Sequence, residues 1–173
     1  MDTGLKRKLK TGLVLAFVAG LLVLFARPQY QQGEPSLRGR PAKDFSLTLD
    51  GKATRLSDLR GKVVVLNFWA SWCPPCVAET PSLVKMQNQL KDKGVVVVAI
   101  SADEDENAYH RFITKYGMDF VTVRDPTAKI QHLYGTIQIP ETYIIDRDGV
   151  LRRKFANAFD WSTPEVTDYL SKL

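Results

Sequence analysis

The spacing of apolar and polar residues divides the chain into three stretches. The first begins basic, with Lys6, Arg7, Lys8 and Lys10, and then loses all charge from Thr11 to Ala26. As a helix these 16 uncharged residues reach roughly 24 Å, against a hydrocarbon core of about 30 Å. The run is short for a span and overlaps the length of a secretory signal core. A cut after Ala26 would leave Leu24 where a small residue is wanted, so the pattern predicts an uncleaved transmembrane signal anchor over 11–26. Arg27 can snorkel to the headgroups to cover the shortfall. The basic N-terminus, residues 1–12, then stays in the cytoplasm and everything beyond Arg27 lies outside. A cleaved signal would export the same part. The second stretch, 27–42, is polar and rich in Pro and Gly, and reads as a flexible stem.

The third stretch, 43–173, is long enough for one domain with its own core. DFSLTLDGKATRL alternates about Asp50-Gly51 and predicts a hairpin. KVVVLNFWA and GVVVVAIS are continuous apolar runs, as expected of strands buried on both faces. Between them, Val77, Leu83, Met86 and Leu90 fall near one face of a helix running from Cys73 to about Leu90, with Pro81 inside it as an expected kink. Ala108, Phe112 and Tyr116 recur every four residues in a second helix that stops at Gly117. FVTVRD, a short helix AKIQHLYG, and the strands ETYIID and VLRRKFA about a DRDG turn follow. TPEVTDYLSKL closes the chain as a helix with Thr163 as N-cap and Pro164 at its first position. Alternating strands and helices imply a parallel pair joined by a crossover, with the last hairpin adding antiparallel strands to the same sheet.

Charge changes this picture little. The net charge of +5 includes +3 from residues 1–12, so the exported part is only mildly basic and lacks a nucleic-acid footprint.

Chemistry enters with FWASWCPPCVAETP, which holds both cysteines of the chain, Cys73 and Cys76. A disulfide closing so small a loop restrains little of the unfolded chain, so the pair reads as one that opens and closes. Cys73 falls at a helix N-terminus, where orphan N–H groups and the macrodipole favour an anion. Such placement draws a thiol from about 8.5 into the range of roughly 3.5–7.5. Cys76, one turn on, is placed to resolve a mixed disulfide. A static disulfide is the plain alternative. A metal site would need more ligands, and His110 and His132 match no zinc spacing, so none is expected.

The stretch VVVLNFWASWCPPCVAETP resembles the active-site region of the thioredoxin superfamily, and more narrowly its membrane-anchored TlpA/ResA branch. WCPPC, Pro81, IPETYIID and the order of elements carry the likeness over 43–173. It implies an α/β thioredoxin fold: a central mixed sheet flanked by helices, with an extra N-terminal β-hairpin and an insertion after the active-site helix, here preceded by one transmembrane helix. The implied activity is thiol–disulfide exchange with exported proteins through a redox-active Cys73–Cys76 disulfide and no separate cofactor. The implied direction is reducing, with apocytochrome c as client class and a membrane electron-donor protein as source, in a monomer at the cytoplasmic membrane with its catalytic domain in the periplasm or extracytoplasmic space. Glu79, about 60° round the wheel from Cys76, corresponds to an acid that tunes the thiols; on the wheel alone it is equally a solvated helix residue. Pro140, trans on base rates alone, corresponds to a cis proline facing the dithiol, with the Ile139 backbone pairing with substrate. Trp72 would flank the reactive sulfur, or be a half-buried aromatic. Cytoplasmic thioredoxins carry a buried aspartate where this chain has Asn67, which passes the acid–base task to Glu79 or water.

Two other functions compete. A copper-binding assembly module would space its cysteines by three residues and add a histidine. A redoxin-type peroxidase would place its cysteine in a P-x-x-x-T-x-x-C setting. DRDG resembles a fragment of a calcium loop but reads as a turn. SADEDEN reads as a solvated helix start, Met86 as core, and Trp161 as packing at a helix entry.

Overall fold

A computed structural model describes residues 37–49 and 51–173, together with Gly12 and Phe17. Apart from those two residues, the basic segment, the anchor expected over 11–26 and the stem up to residue 36 lie outside the described residues. Among the described residues no helix is long and apolar enough to cross a membrane.

Strands β1 (Ser46–Leu49) and β2 (Lys52–Arg55) pair antiparallel as the expected hairpin, with Gly51 at φ +74° in its turn. Next come β3 (Val63–Trp69), α1 (Pro74–Leu90) and β4 (Val95–Ser101). Helix α2 (Glu106–Tyr116), β5 (Val121–Arg124) and α3 (Lys129–Tyr134) follow. Strands β6 (Glu141–Ile145) and β7 (Leu151–Ala156) and helix α4 (Pro164–Ser171) complete the domain. The main sheet runs β5-β4-β3-β6-β7. Strand β3 is parallel to β4 and β4 to β5, whereas β6 is antiparallel to both β3 and β7. This is a thioredoxin-like α/β fold: a central mixed sheet with helices against it.

The apolar run of β3 has the meaning its composition suggested, since all seven residues are buried. Alternation sends Val63, Val65 and Trp69 into a core with α1, α2 and α4, and Val64, Leu66 and Phe68 into a second core under the hairpin and α3. Each such side chain contributes roughly 1.5–3 kcal/mol. The same parity puts Asn67 on the α1 face. Gln87 of α1 does a strand's work: its amide donates to Val95 O (3.2 Å) and accepts from Val97 N (2.6 Å), where β5 does not reach.

Helix α1 runs without interruption through Pro81. Thr163 occupies the N-cap of α4, but its side chain makes no capping bond, contrary to expectation. Its carbonyl instead accepts from the Thr167 amide and hydroxyl. In the DRDG turn Asp146 Oδ1 accepts from the amides of Asp148 and Val150, and Oδ2 pairs with Arg152. Gly149 takes the left-handed position at φ +79°. Residues 39–42, inside the stretch read as stem, already bond to the chain around β7. Gly39 N donates to Leu151 O, Leu151 N to Arg40 O, and Ala42 N to Gly149 O, each at 2.8 Å.

Candidate active site

Strand β3 delivers the chain into a four-residue approach, Ala70 to Cys73, that ends as the cap of α1. Cys73 has extended backbone angles, and its sulfur accepts from Cys76 N at 3.3 Å. Pro74 and Pro75 stand where a helix needs no donor. Cys73 and Cys76 form a disulfide, with Cys73 4% and Cys76 0% exposed. A sulfur held against a first-turn amide is the geometry that favours its anion once the bond is reduced.

The approach is clamped by Asp103, 1% exposed at the end of β4. Its carboxylate accepts from Ser71 N (3.0 and 3.2 Å), Ser71 Oγ (2.6 Å) and Ser101 Oγ (2.6 Å). The acidic run before α2 is therefore not wholly solvated. Glu104, Asp105 and Glu106 are exposed and Asp105 caps α2, but Asp103 faces inward. A Ser-x-Asp at the end of an apolar strand was the only sign of it.

Glu79 is 4% exposed. Its Oε1 accepts from Asn67 Nδ2 (2.9 Å), and its Oε2 from Phe159 N (3.1 Å) and Trp161 Nε1 (3.2 Å). Asn67 spends its second amide hydrogen on Thr142 Oγ1 at 2.9 Å. Burial raises the Glu79 carboxyl to about 7, with the bonds from Asn67, Trp161 and Phe159 opposing that rise. Of the two readings of Glu79, the solvated one fails. Beside it opens a cleft of about 470 Å³, lined by Pro81, Ser82, Lys85 and Phe159 among others, which brings solvent to the edge of the carboxylate. Trp161 is fully buried against Phe155 and Phe159, as a packing residue should be, but its indole N–H also serves Glu79. Nothing in its sequence setting announced that.

The Ile139–Pro140 peptide is cis, and the Ile139 carbonyl oxygen lies 3.7 Å from Cys73 Sγ. The loop carrying it is pinned by the Tyr143 hydroxyl, which lies 2.9 Å from Glu141 Oε2, 3.1 Å from Thr136 Oγ1 and 3.2 Å from Tyr134 O. Glu141 pairs in turn with Lys154 Nζ at 2.8 Å. Trp72 is 66% exposed, so it is a surface group rather than a half-buried one, and Ile137 on the proline loop is 91% exposed. Cys73, Cys76, Trp72, Ile139 and Pro140 thus gather at one end of β3, with Glu79 buried on α1 behind them. His110 is exposed on α2, 3.7 Å from Glu106, and His132 is exposed on α3.

Comparison with known proteins agrees with this geometry. The family model described as Redoxin matches residues 37–173. A thiol-disulfide oxidoreductase ResA of Bacillus thuringiensis (strain Al Hakam) is 36% identical over 136 residues, which cover 78% of each chain. The crystal structure of a putative thiol:disulfide interchange protein DsbE from Chlorobium tepidum superposes with TM-score 0.67 at 32% identity, covering 78% of this chain and 93% of that one. A secreted Mycobacterium tuberculosis disulfide oxidoreductase described as homologous to E. coli DsbE gives TM-score 0.64 at 29% identity, over 75% of this chain and 96% of that one.

Proposed function

Since the chain belongs to the redoxin family, as a ResA-like thiol–disulfide oxidoreductase of the thioredoxin superfamily, we propose that it reduces disulfides of exported proteins outside the cytoplasmic membrane. In this reading residues 11–26 anchor it there as a monomer, and a membrane electron-donor protein returns it to the dithiol. Apocytochrome c is the client class, and the Cys73–Cys76 pair is the whole redox group.

The Cys73 thiolate attacks a client disulfide, forming one S–S bond and releasing one client thiolate. Cys76 then gives its proton to the Glu79 carboxylate and attacks Cys73 Sγ. The client leaves as a dithiol and the enzyme as the disulfide. Trp72, Ile139 and Pro140 form the docking surface, with the Ile139 backbone offering an extended client segment a strand-like partner.

The observation that carries the reading is Glu79: a buried carboxyl raised to about 7, on the same helix as the two sulfurs and near the working pH of a proton acceptor. The test is to replace Cys76 by Ala and capture adducts in cells. Mixed disulfides through Cys73 with exported proteins, apocytochrome c among them, are expected. Their absence would remove the client assignment, and a reduction potential near −120 mV, that of a strong oxidant, would remove the reducing direction.

A further inference from the structure

The strand directions sort the loops of the domain into two ends. At one, Gly61 N donates to Arg147 O (2.8 Å), Val63 N to Gly94 O (2.9 Å), and Arg147 Nη1 to Gly61 O (2.9 Å). Residues 38–42 join the same end through Gly149 and Leu151. At the other end lie the dithiol approach, the loop after β4, the loop after β5, the cis-proline loop and the loop after β7. The ends are separated by the length of β3, roughly 20 Å.

Charge divides along the same line. Residues 38–42, 60–62, 91–94, 117–120 and 146–149 contain seven basic and four acidic residues, and one of those acids, Asp146, is neutralised by Arg152. Residues 70–73, 102–105, 124–129, 136–140 and 157–163 contain five acidic residues and two basic ones, Lys129 and Arg124, the latter held by Glu104 O and Glu106. Across 37–173 the totals are 19 basic and 17 acidic, so net charge conceals the division. Arg38, Arg40, Arg60, Lys62 and Lys93 are all exposed. Among the described residues 37–173 the exposed large apolar side chains are Trp72, Leu133 and Ile137, which belong to other segments, so there the basic end lacks the apolar centre of a protein-docking patch.

We infer that the basic end is a seat for an anionic lipid surface, and that this seating turns the acidic end, with Cys73 and Cys76, away from the bilayer. The occupant follows from where the chain enters. Residue 38 lies at the basic end, and the sequence leading to it is the uncharged run 11–26 followed by Arg27 and the stem. Each basic side chain near such a surface gains on the order of 1 kcal/mol, within a screening length of about 8–10 Å. The acidic end, some two screening lengths away, lies beyond most of that field and gains nothing from it. The inference rests on the anchored reading above.

The test uses the full chain reconstituted in vesicles of phosphatidylcholine alone or mixed with phosphatidylglycerol, with an amine-acetylating reagent as probe. On mixed vesicles Lys62 and Lys93 should react about fivefold more slowly than on phosphatidylcholine, with Lys129, at the start of α3 on the dithiol end, unchanged. High salt should abolish the protection. The double variant Arg38→Glu with Arg60→Glu should lose it at Lys62 and Lys93 while keeping its thermal unfolding and its turnover of a small disulfide. Equal labelling on the two vesicles overturns the inference. Flotation with pure phosphatidylcholine reads the anchor separately. If the chain does not float there, the anchored reading fails. The inference then survives only if mixed vesicles still bind the chain and protect both lysines, and it falls if they do not.

Discussion

Replacing Glu79 by Gln isolates the one ionisation that burial most perturbs at the site. In the folded protein the Glu79 carboxyl is raised from 4.5 to about 7. Between these values the folded state holds a proton that the unfolded chain has released. Stability from this group is therefore complete below about pH 4.5, declines as pH rises toward 7, and is flat above. The interval corresponds to about 3 kcal/mol. Gln fits the cage with a single adjustment. Its carbonyl accepts from Phe159 N and Trp161 Nε1, and its NH2 meets Asn67, whose amide flips to accept from it and from the Thr142 hydroxyl. The assay is urea unfolding of the oxidised protein from about pH 4.5 to 8.5, with the cysteines locked in their disulfide. Subtracting parent from variant cancels His110, His132 and every other shared titration. The variant should gain on the parent by about 3 kcal/mol across the range. Parallel curves would refute the argument, because they would mean that the carboxyl ionises in the folded state as freely as in the unfolded one.

Trp161→Phe keeps the ring among Phe155 and Phe159 but removes a donor to Glu79. The Glu79 titration should then move further up, seen as a later end to the stability decline in the same pH series. Asp103→Ala strips acceptors from Ser71 and Ser101. It should cost about 2–4 kcal/mol, read as a lower urea midpoint, and slow reduction of protein disulfides as the Trp72–Cys73 approach loosens. Ile137→Ser should change stability by less than about 0.5 kcal/mol, because the side chain is already in water. It should raise KM for a protein disulfide and leave turnover of a small aromatic disulfide untouched.

The sheet was legible because β3 and β4 are apolar almost throughout, Asn67 and Ser101 apart, which only a strand covered on both faces requires. The capping of α1 by Cys73 was legible because paired prolines fit the first turn of a helix. The surroundings of Glu79 were not, because two of its three donors, Phe159 N and Trp161 Nε1, come from a loop eighty residues or so later. Asp103 was hidden in an acidic run whose other members are solvated, and only the hydroxyls of Ser71 and Ser101 distinguish it. Gln87 looked like any helix glutamine until the bare edge of β4 came to lie beside it. The two-ended charge division was invisible for a geometric reason: a chain that crosses the sheet repeatedly interleaves its two ends in sequence.

The cage around Glu79 closes only when Phe159 and Trp161 have arrived, since its donors sit on β3 and in the segment that leads into α4. A chain still being made presents its two sulfurs long before the groups that tune the acid behind them. The acid is thus tuned last, some eighty residues after the sulfurs have been laid down.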